Sequence, residues 1–174
     1  MEPQEPIRIA LERNVKVISA RPSVGQGTAV TRVTLRPGLA CEVEDGPWKF
    51  AVGMTEKYGG VNNGPNPGVY GRAALGSCLA IGYSMWAARM GVPIRSLSIE
   101  VQAVYDVRGE LGVSDDIRPG YERMHYIVSV ETEAPDAAVH AWLEKAERHS
   151  SWLDDIRNPV PVSRELRLTR PEGR

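Results

Sequence analysis

The segment Gly59 to Met90, GGVNNGPNPGVYGRAALGSCLAIGYSMWAARM, constrains the fold more than any other part of the chain. A loop dense in glycine, asparagine and proline feeds a long, mostly apolar helix. Asn66 is suited to cap that helix, and Pro67 to its first position, where a missing N–H costs nothing. Leu75, Cys78, Leu79, Gly82, Met85, Trp86 and Met90 follow steps of three and four, forming an apolar stripe that Ala74 and Ile81 widen. Gly71, Gly76 and Gly82 each weaken a helix by about 1 kcal/mol relative to alanine. Close approach of another backbone is expected to offset them. Gly91, followed by Val92-Pro93, ends the helix. A helix apolar on more than one side needs a cover, so a homodimer is expected.

Around this element the chain reads as strands, helix, two strands, helix, one strand. Val15–Ala20, Thr28–Leu35, Ala40–Val43 and Trp48–Val52 are short β-prone runs separated by Pro22, Gly25 to Gly27, Pro37-Gly38 and Asp45-Gly46-Pro47. Ser96–Val107 alternates with Leu97, Ile99, Val101, Ala103 and Tyr105 on one face, and Tyr126–Thr132 is a second such strand. The connector Arg108–Tyr121 is long and polar and reads as a mobile excursion. Pro135–His149 is an amphipathic helix built on Ala138, Trp142, Leu143 and Ala146. Ser150-Ser151 offers a cap for a short helix, Trp152–Arg157, with Asp154 three beyond Ser151 in capping-box fashion. Val160–Leu168 reads as a final strand. The order implies a single α+β domain with an antiparallel or mixed sheet, not a doubly wound one.

Composition narrows the function. The 174 residues carry a net charge of −1, with 42% apolar and 25% charged residues. That balance leaves no electrostatic footprint for nucleic acid or an anionic membrane. The basic stretch Arg164–Arg174 is interrupted by glutamates and reads as a solvated strand edge and tail. No apolar run approaches the roughly 20 residues that span a bilayer. MEPQEPIRIALERN lacks the pattern of a signal peptide, so a cytoplasmic location is expected. Cys41 and Cys78 are too few for a disulfide framework, and no CxxC is present. His125, His140 and His149 are scattered and read as surface or boundary residues, so no metal site is expected. GGVNNG does not match GxGxxG and no GKS or GKT follows it, so no nucleotide cofactor is expected.

Two readings of Cys78 stay open on pattern alone: a small apolar filler in a core, or the centre of a redox site. Ser150 likewise reads as a helix cap or as a part of that site.

The combination GG-x-N-x-G-P-N-P leading into A-A-L-G-S-C-L-A, with a late E-R-H-S followed by L-D-x-I-R-N-P-V-P-V, resembles the OsmC/Ohr family of osmotically inducible and organic-hydroperoxide-resistance proteins. The resemblance covers residues 48–168, with residues 1–47 as N-terminal strands and 169–174 as a tail. It implies a strongly curved sheet around two central helices in an intertwined homodimer with interfacial sites. It also implies that Cys78 is the peroxidatic cysteine, attacking an organic hydroperoxide to give a sulfenic acid. The position of the family's resolving cysteine falls at Ser150. The positions that follow the N-P, where the family carries a glutamate, are Gly68, Val69 and Tyr70. The family's arginine has no matched residue, which leaves backbone N–H groups near Ser150 at a helix start, or a cation such as Lys49 or Arg36, to support a thiolate. Cys41 does not match a resolving position.

A serine cannot attack a sulfenic acid to form a disulfide, so turnover by this chain would need an external thiol reductant. Leu75, Leu79, Tyr83 and Trp86 are expected to line the thiol's surroundings and favour organic peroxides. The alternative is a non-catalytic homodimer holding a small apolar or sulfur-containing ligand.

Overall fold

The computed structural model describes residues 4–170. Its centre is the long helix read from the sequence. Following an N-terminal helix α1 (Gln4–Ala20) and three strands, β1 (Arg32–Arg36), β2 (Ala40–Asp45) and β3 (Trp48–Gly53), this helix, α2, spans Pro67–Met90. The Asn66 side chain accepts from Val69 N–H, and Gly91 closes the far end in the left-handed region at φ 68°. Then come β4 (Ser96–Val104), one helical turn α3 (Val107–Glu110), β5 (Arg123–Glu131), α4 (Asp136–Glu147) and α5 (Ser151–Arg157).

The architecture is α+β, as expected, with small antiparallel sheets. β1, β2 and β3 form a meander, and β4 pairs with β5 from Ser96↔Glu131 to Val104↔Arg123. Both strands of the β4–β5 ribbon alternate half-buried and exposed along their length. Leu97, Ile99, Val101, Met124, Tyr126, Val128 and Val130 therefore face one way, onto the core built on α2.

That core contains Leu75, Leu79, Tyr83 and Ala87, which repeat every four residues along α2, together with Trp142 and Ala146 of α4 and Leu153 of α5. The expected stripe is thus shifted by part of a turn. Met85, Met90 and Ile81 are exposed, whereas Tyr83, which the expected stripe omitted, is fully buried. Trp142 is its complement on α4. The indole Nε1–H donates to the Tyr83 carbonyl at 2.8 Å and the two rings meet edge-on at 5.8 Å. Of the helical glycines, Gly76 lies where a Cβ would come within 3.2 Å of a Val101 methyl, so the sheet's approach accounts for it. Gly71 and Gly82 face open space in this chain.

Three expectations are corrected. Val15–Ala20 is not a strand but the last part of α1. Its β-branched residues belong to a helix whose contact face starts earlier, with Gln4, Ile7 and Leu11 half-buried at helical spacing and Arg8 bridging Glu5 and Glu12. Val160–Leu168 forms no strand pair: residues 159–170 carry no assigned secondary structure, and Val162 is 92% exposed. Alternation alone makes a strand only where a neighbouring edge supplies hydrogen bonds. The connector after Val107 is partly ordered, through α3 and the Asp106–Arg108 ion pair. Residues 171–174 of the expected tail lie outside the described residues.

Trp142→Ala removes both the buried ring and the bond to the Tyr83 carbonyl. It is expected to cost about 3–5 kcal/mol, read as a fall in the midpoint of urea unfolding. Val162→Ala, at a position 92% exposed, is expected to cost far less.

Candidate thiol site

The glycine-rich loop ahead of α2 is fastened to β3. Gly53 N–H donates to Pro65 O at 3.1 Å, and Asn62 N–H donates to Met54 O at 3.0 Å. A Cβ on Gly60 would collide with the Met54 carbonyl, and one on Gly64 would sit 2.7 Å from Ala51 O. Glycine is required at both by contact with backbone. At the start of α2, the Tyr70 hydroxyl donates to Ala51 O at 2.7 Å. Arg72 donates to the Tyr121 hydroxyl at 2.9 Å, which in turn donates to Gly68 O at 3.1 Å. These bonds set the azimuth of α2 and thereby the direction in which Cys78 points.

Cys78 points at the first turn of α5. Its Sγ lies 3.5 Å from Ser150 Oγ and 3.7 Å from Ser151 Oγ. Ser150 is buried and is the N-cap of α5, its Oγ accepting from Leu153 N–H at 3.4 Å. Since the oxygen is occupied as an acceptor, its proton is free to be donated to sulfur. The capping box with Asp154 does not form: the cap is Ser150 rather than Ser151, and three beyond it stands Leu153. Asp154 instead accepts from the Asn158 side chain.

Partial burial is the largest single influence on the thiol and pushes its pKa up. The Ser150 hydroxyl, the Trp152 N–H, and the hydroxyl and N–H of Ser151 all favour the thiolate. Together they prevail, so the pKa falls below that of an ordinary thiol. Every group that lowers it is a neutral dipole. Lys49 is paired with Glu44 and Arg36 with Glu42, so neither expected cation serves the sulfur. The backbone N–H groups near Ser150 that the sequence offered as the other source of support are the amides of Ser151 and Trp152. Arg72, the nearest arginine before Cys78 in sequence, is engaged with Tyr121 instead.

Other expected neighbours fall elsewhere. Leu79 and Tyr83 are sealed in the core at no more than 1% exposure, and Trp86 packs against His149 at 4.7 Å and under Arg89 at 4.3 Å. Only Leu75 of that group lines an open groove, shared with Leu153 of α5. The His149 ring contacts Lys145 O, and His140 and His125 are exposed. Cys41 is a free thiol on β2, opposite Leu35 and Val52. No described helix is long and apolar enough to cross a membrane.

The arrangement defines a class: an α+β protein with a half-buried cysteine on a central helix, aimed at the capped start of a second helix. The OsmC-like protein family profile matches residues 60–165, more than half of the chain. This chain belongs to that family. No curated protein matches it in sequence. Among solved structures it resembles an OsmC-like protein from Mycoplasma pneumoniae, with TM-score 0.67 and 9% identity over 77% of this chain and 90% of the other. A putative osmotic stress induced and detoxification response protein from Psychrobacter arcticus gives TM-score 0.58 and 17% identity over 75% and 89%. An organic hydroperoxide resistance protein OsmC from Legionella pneumophila gives 0.54 and 14% over 76% and 90%. At these identities the likeness is one of fold.

Ser150→Ala removes the cap and one donor to sulfur together. It is expected to destabilise the protein by about 1 kcal/mol in urea unfolding. In a Cys41→Ser background, it is also expected to raise the pH midpoint of Cys78 alkylation by iodoacetamide. The sign follows from the acid: losing a donor to the thiolate favours the neutral thiol, so less of it reacts at neutral pH.

Proposed function

We propose that this chain is a one-cysteine, thiol-dependent peroxidase that reduces organic hydroperoxides and works as a homodimer. The observation that carries the reading is the Cys78 thiol, half-exposed and held by Ser150 and Ser151 at 3.5 and 3.7 Å, with its pKa lowered. In the first step the thiolate sulfur attacks the terminal oxygen of ROOH. The O–O bond breaks, the alkoxide takes a proton from water to leave as ROH, and Cys78 becomes a sulfenic acid. The sulfur has been oxidised by two electrons and the peroxide reduced by two.

Recovery uses two equivalents of external thiol. The first forms a mixed disulfide with Cys78 and releases water. The second displaces the Cys78 thiolate and leaves as a disulfide of the two reductants. Ser150 has the part of a hydrogen-bond donor, since a hydroxyl has no sulfur to offer. Such a cycle needs a compartment that supplies reduced thiols, which fits the cytoplasm. Exposed Val33, Leu35, Trp48 and Phe50 on the meander, and Ile81 and Met85 on α2, support a second copy as the cover for these faces.

Wild-type protein given cumene hydroperoxide and a dithiol such as dithiothreitol is expected to consume peroxide. Cys78→Ser should abolish consumption, whereas Cys41→Ser should leave it intact. A wild type that consumes none with any dithiol, or equal consumption by Cys78→Ser, sinks the reading.

A further inference from the structure

Trp86 gathers two cations. The Arg89 guanidinium stands 4.3 Å from its ring centroid and the Lys145 ammonium 5.4 Å, and the His149 ring packs against it at 4.7 Å. Neither Arg89 nor Lys145 forms a salt bridge among the described residues. Of the carboxylates on the same stretch of α4, Glu144 is exposed and pairs with neither, and Glu147 accepts from Tyr83. An indole face attracts a cation but leaves most of its N–H donors unused. Two like charges at one ring therefore make a site for an anion. The site communicates with the thiol. Cys78, Gly82 and Trp86 follow at steps of four, one ridge of α2. A Cβ on Gly82 would meet nothing within 4 Å, so the ridge is open at its middle. His149 is the chain neighbour of Ser150, whose hydroxyl lies 3.5 Å from the sulfur. At about 100° per residue, Ile81 and Met85 fall on the other side of Cys78. The ridge thus lies on the α4 side, apart from the face assigned to a second copy.

The span selects the ligand. Cys78 and Trp86 are two turns apart, about 12 Å along the helix axis. A disulfide bond to the cysteine takes up about 2 Å of this, and an ion pair to a cation about 3 Å. The remaining distance of about 7 Å is two residues of extended chain. A neutral thiol would leave the cations idle, and a shorter anionic one could not reach both ends. We propose that the ridge from Cys78 over Gly82 to Trp86 binds a small anionic, peptide-like thiol, its carboxylate held by Arg89 and Lys145 and its sulfur delivered to Cys78. This thiol is then the first external reductant. Its sulfur attacks the sulfenic sulfur, the S–S bond forms and the S–O bond breaks, and the thiol proton leaves with the hydroxide as water. The role as reductant rests on the peroxidase reading, whereas the binding itself does not.

Exchange of Cys78 with glutathione disulfide needs no peroxide and tests the binding alone. In Cys41→Ser protein, the Cys78 thiolate attacks one sulfur of the disulfide and releases the other half as glutathione, and intact mass follows the adduct. The rate is compared with that for the same disulfide esterified at its glycine carboxylates. Glutathione disulfide is expected to react about fourfold faster, as two exposed ion pairs of roughly twofold each give. Arg89→Gln combined with Lys145→Gln should lower its rate to that of the ester. Gly82→Leu, which fills the ridge, should slow it more than it slows alkylation by iodoacetamide. Equal rates for the two disulfides, a preference that survives the double variant, or equal slowing of both reactions by Gly82→Leu overturns the proposal. Turnover of cumene hydroperoxide then separates the two statements. Glutathione is expected to support it at about fourfold the kcat/KM of its ethyl ester. Equal support by the two thiols overturns the role as reductant and leaves the peroxidase standing. The exchange preference without peroxide consumption by any thiol, dithiothreitol included, overturns the peroxidase and leaves the binding site standing.

Discussion

The bond from the Trp142 indole to the Tyr83 carbonyl fixes where everything else sits. It pins α4 against the middle of α2 at a single height and rotation. Only three residues separate the end of α4 at Glu147 from the start of α5 at Ser151. The position of α4 therefore decides where Ser150 lands. On the other helix, Cys78 lies five residues before Tyr83, more than one turn away. One buried aromatic pair thus sets the distance between a sulfur and a hydroxyl that are 72 positions apart in sequence. A second, part-buried link reinforces it: the Tyr83 hydroxyl donates to Glu147 at 2.8 Å, and burial together with that carboxylate pushes the phenol well above its usual range.

Much of this was legible in the sequence because it is encoded locally. Asn66-Pro67 and Gly91 mark the ends of α2 by cap chemistry that depends on a few residues. The alternation of Leu97, Ile99, Val101 and Ala103 marks β4 for the same reason. The glycine-rich loop and Cys78 could be paired with Ser150 through the family resemblance. What stayed hidden depends on distant partners. Val15–Ala20 is β-prone by composition, yet it continues a helix whose face is set by α2. Val160–Leu168 alternates like a strand, but no edge among the described residues receives it. Tyr83 was missed as a core residue because its hydroxyl disguises a ring that is entirely buried.

The thiol site is built without a nearby charge. Hydroxyls and amide N–H groups at the start of α5 oppose the cost of partial burial, and the cations that sequence suggested are tied to glutamates on the β meander. Fixed dipoles at close range are less exposed to salt screening than ion pairs at the surface. Their effect depends on geometry, which returns the argument to the aromatic pair that sets it.

The Ser150 hydroxyl also joins two properties usually counted separately. One oxygen closes the first turn of α5 and offers its proton to Cys78. By reciprocity, whatever charge the sulfur carries is felt as order in that turn, and whatever orders the turn is felt as acidity at the sulfur. The short helix is in this sense a mechanical gauge of its neighbour's chemistry. Covalent modification of Cys78 would leave its record in the hydrogen-exchange protection of Leu153 N–H, a backbone group that never touches the sulfur.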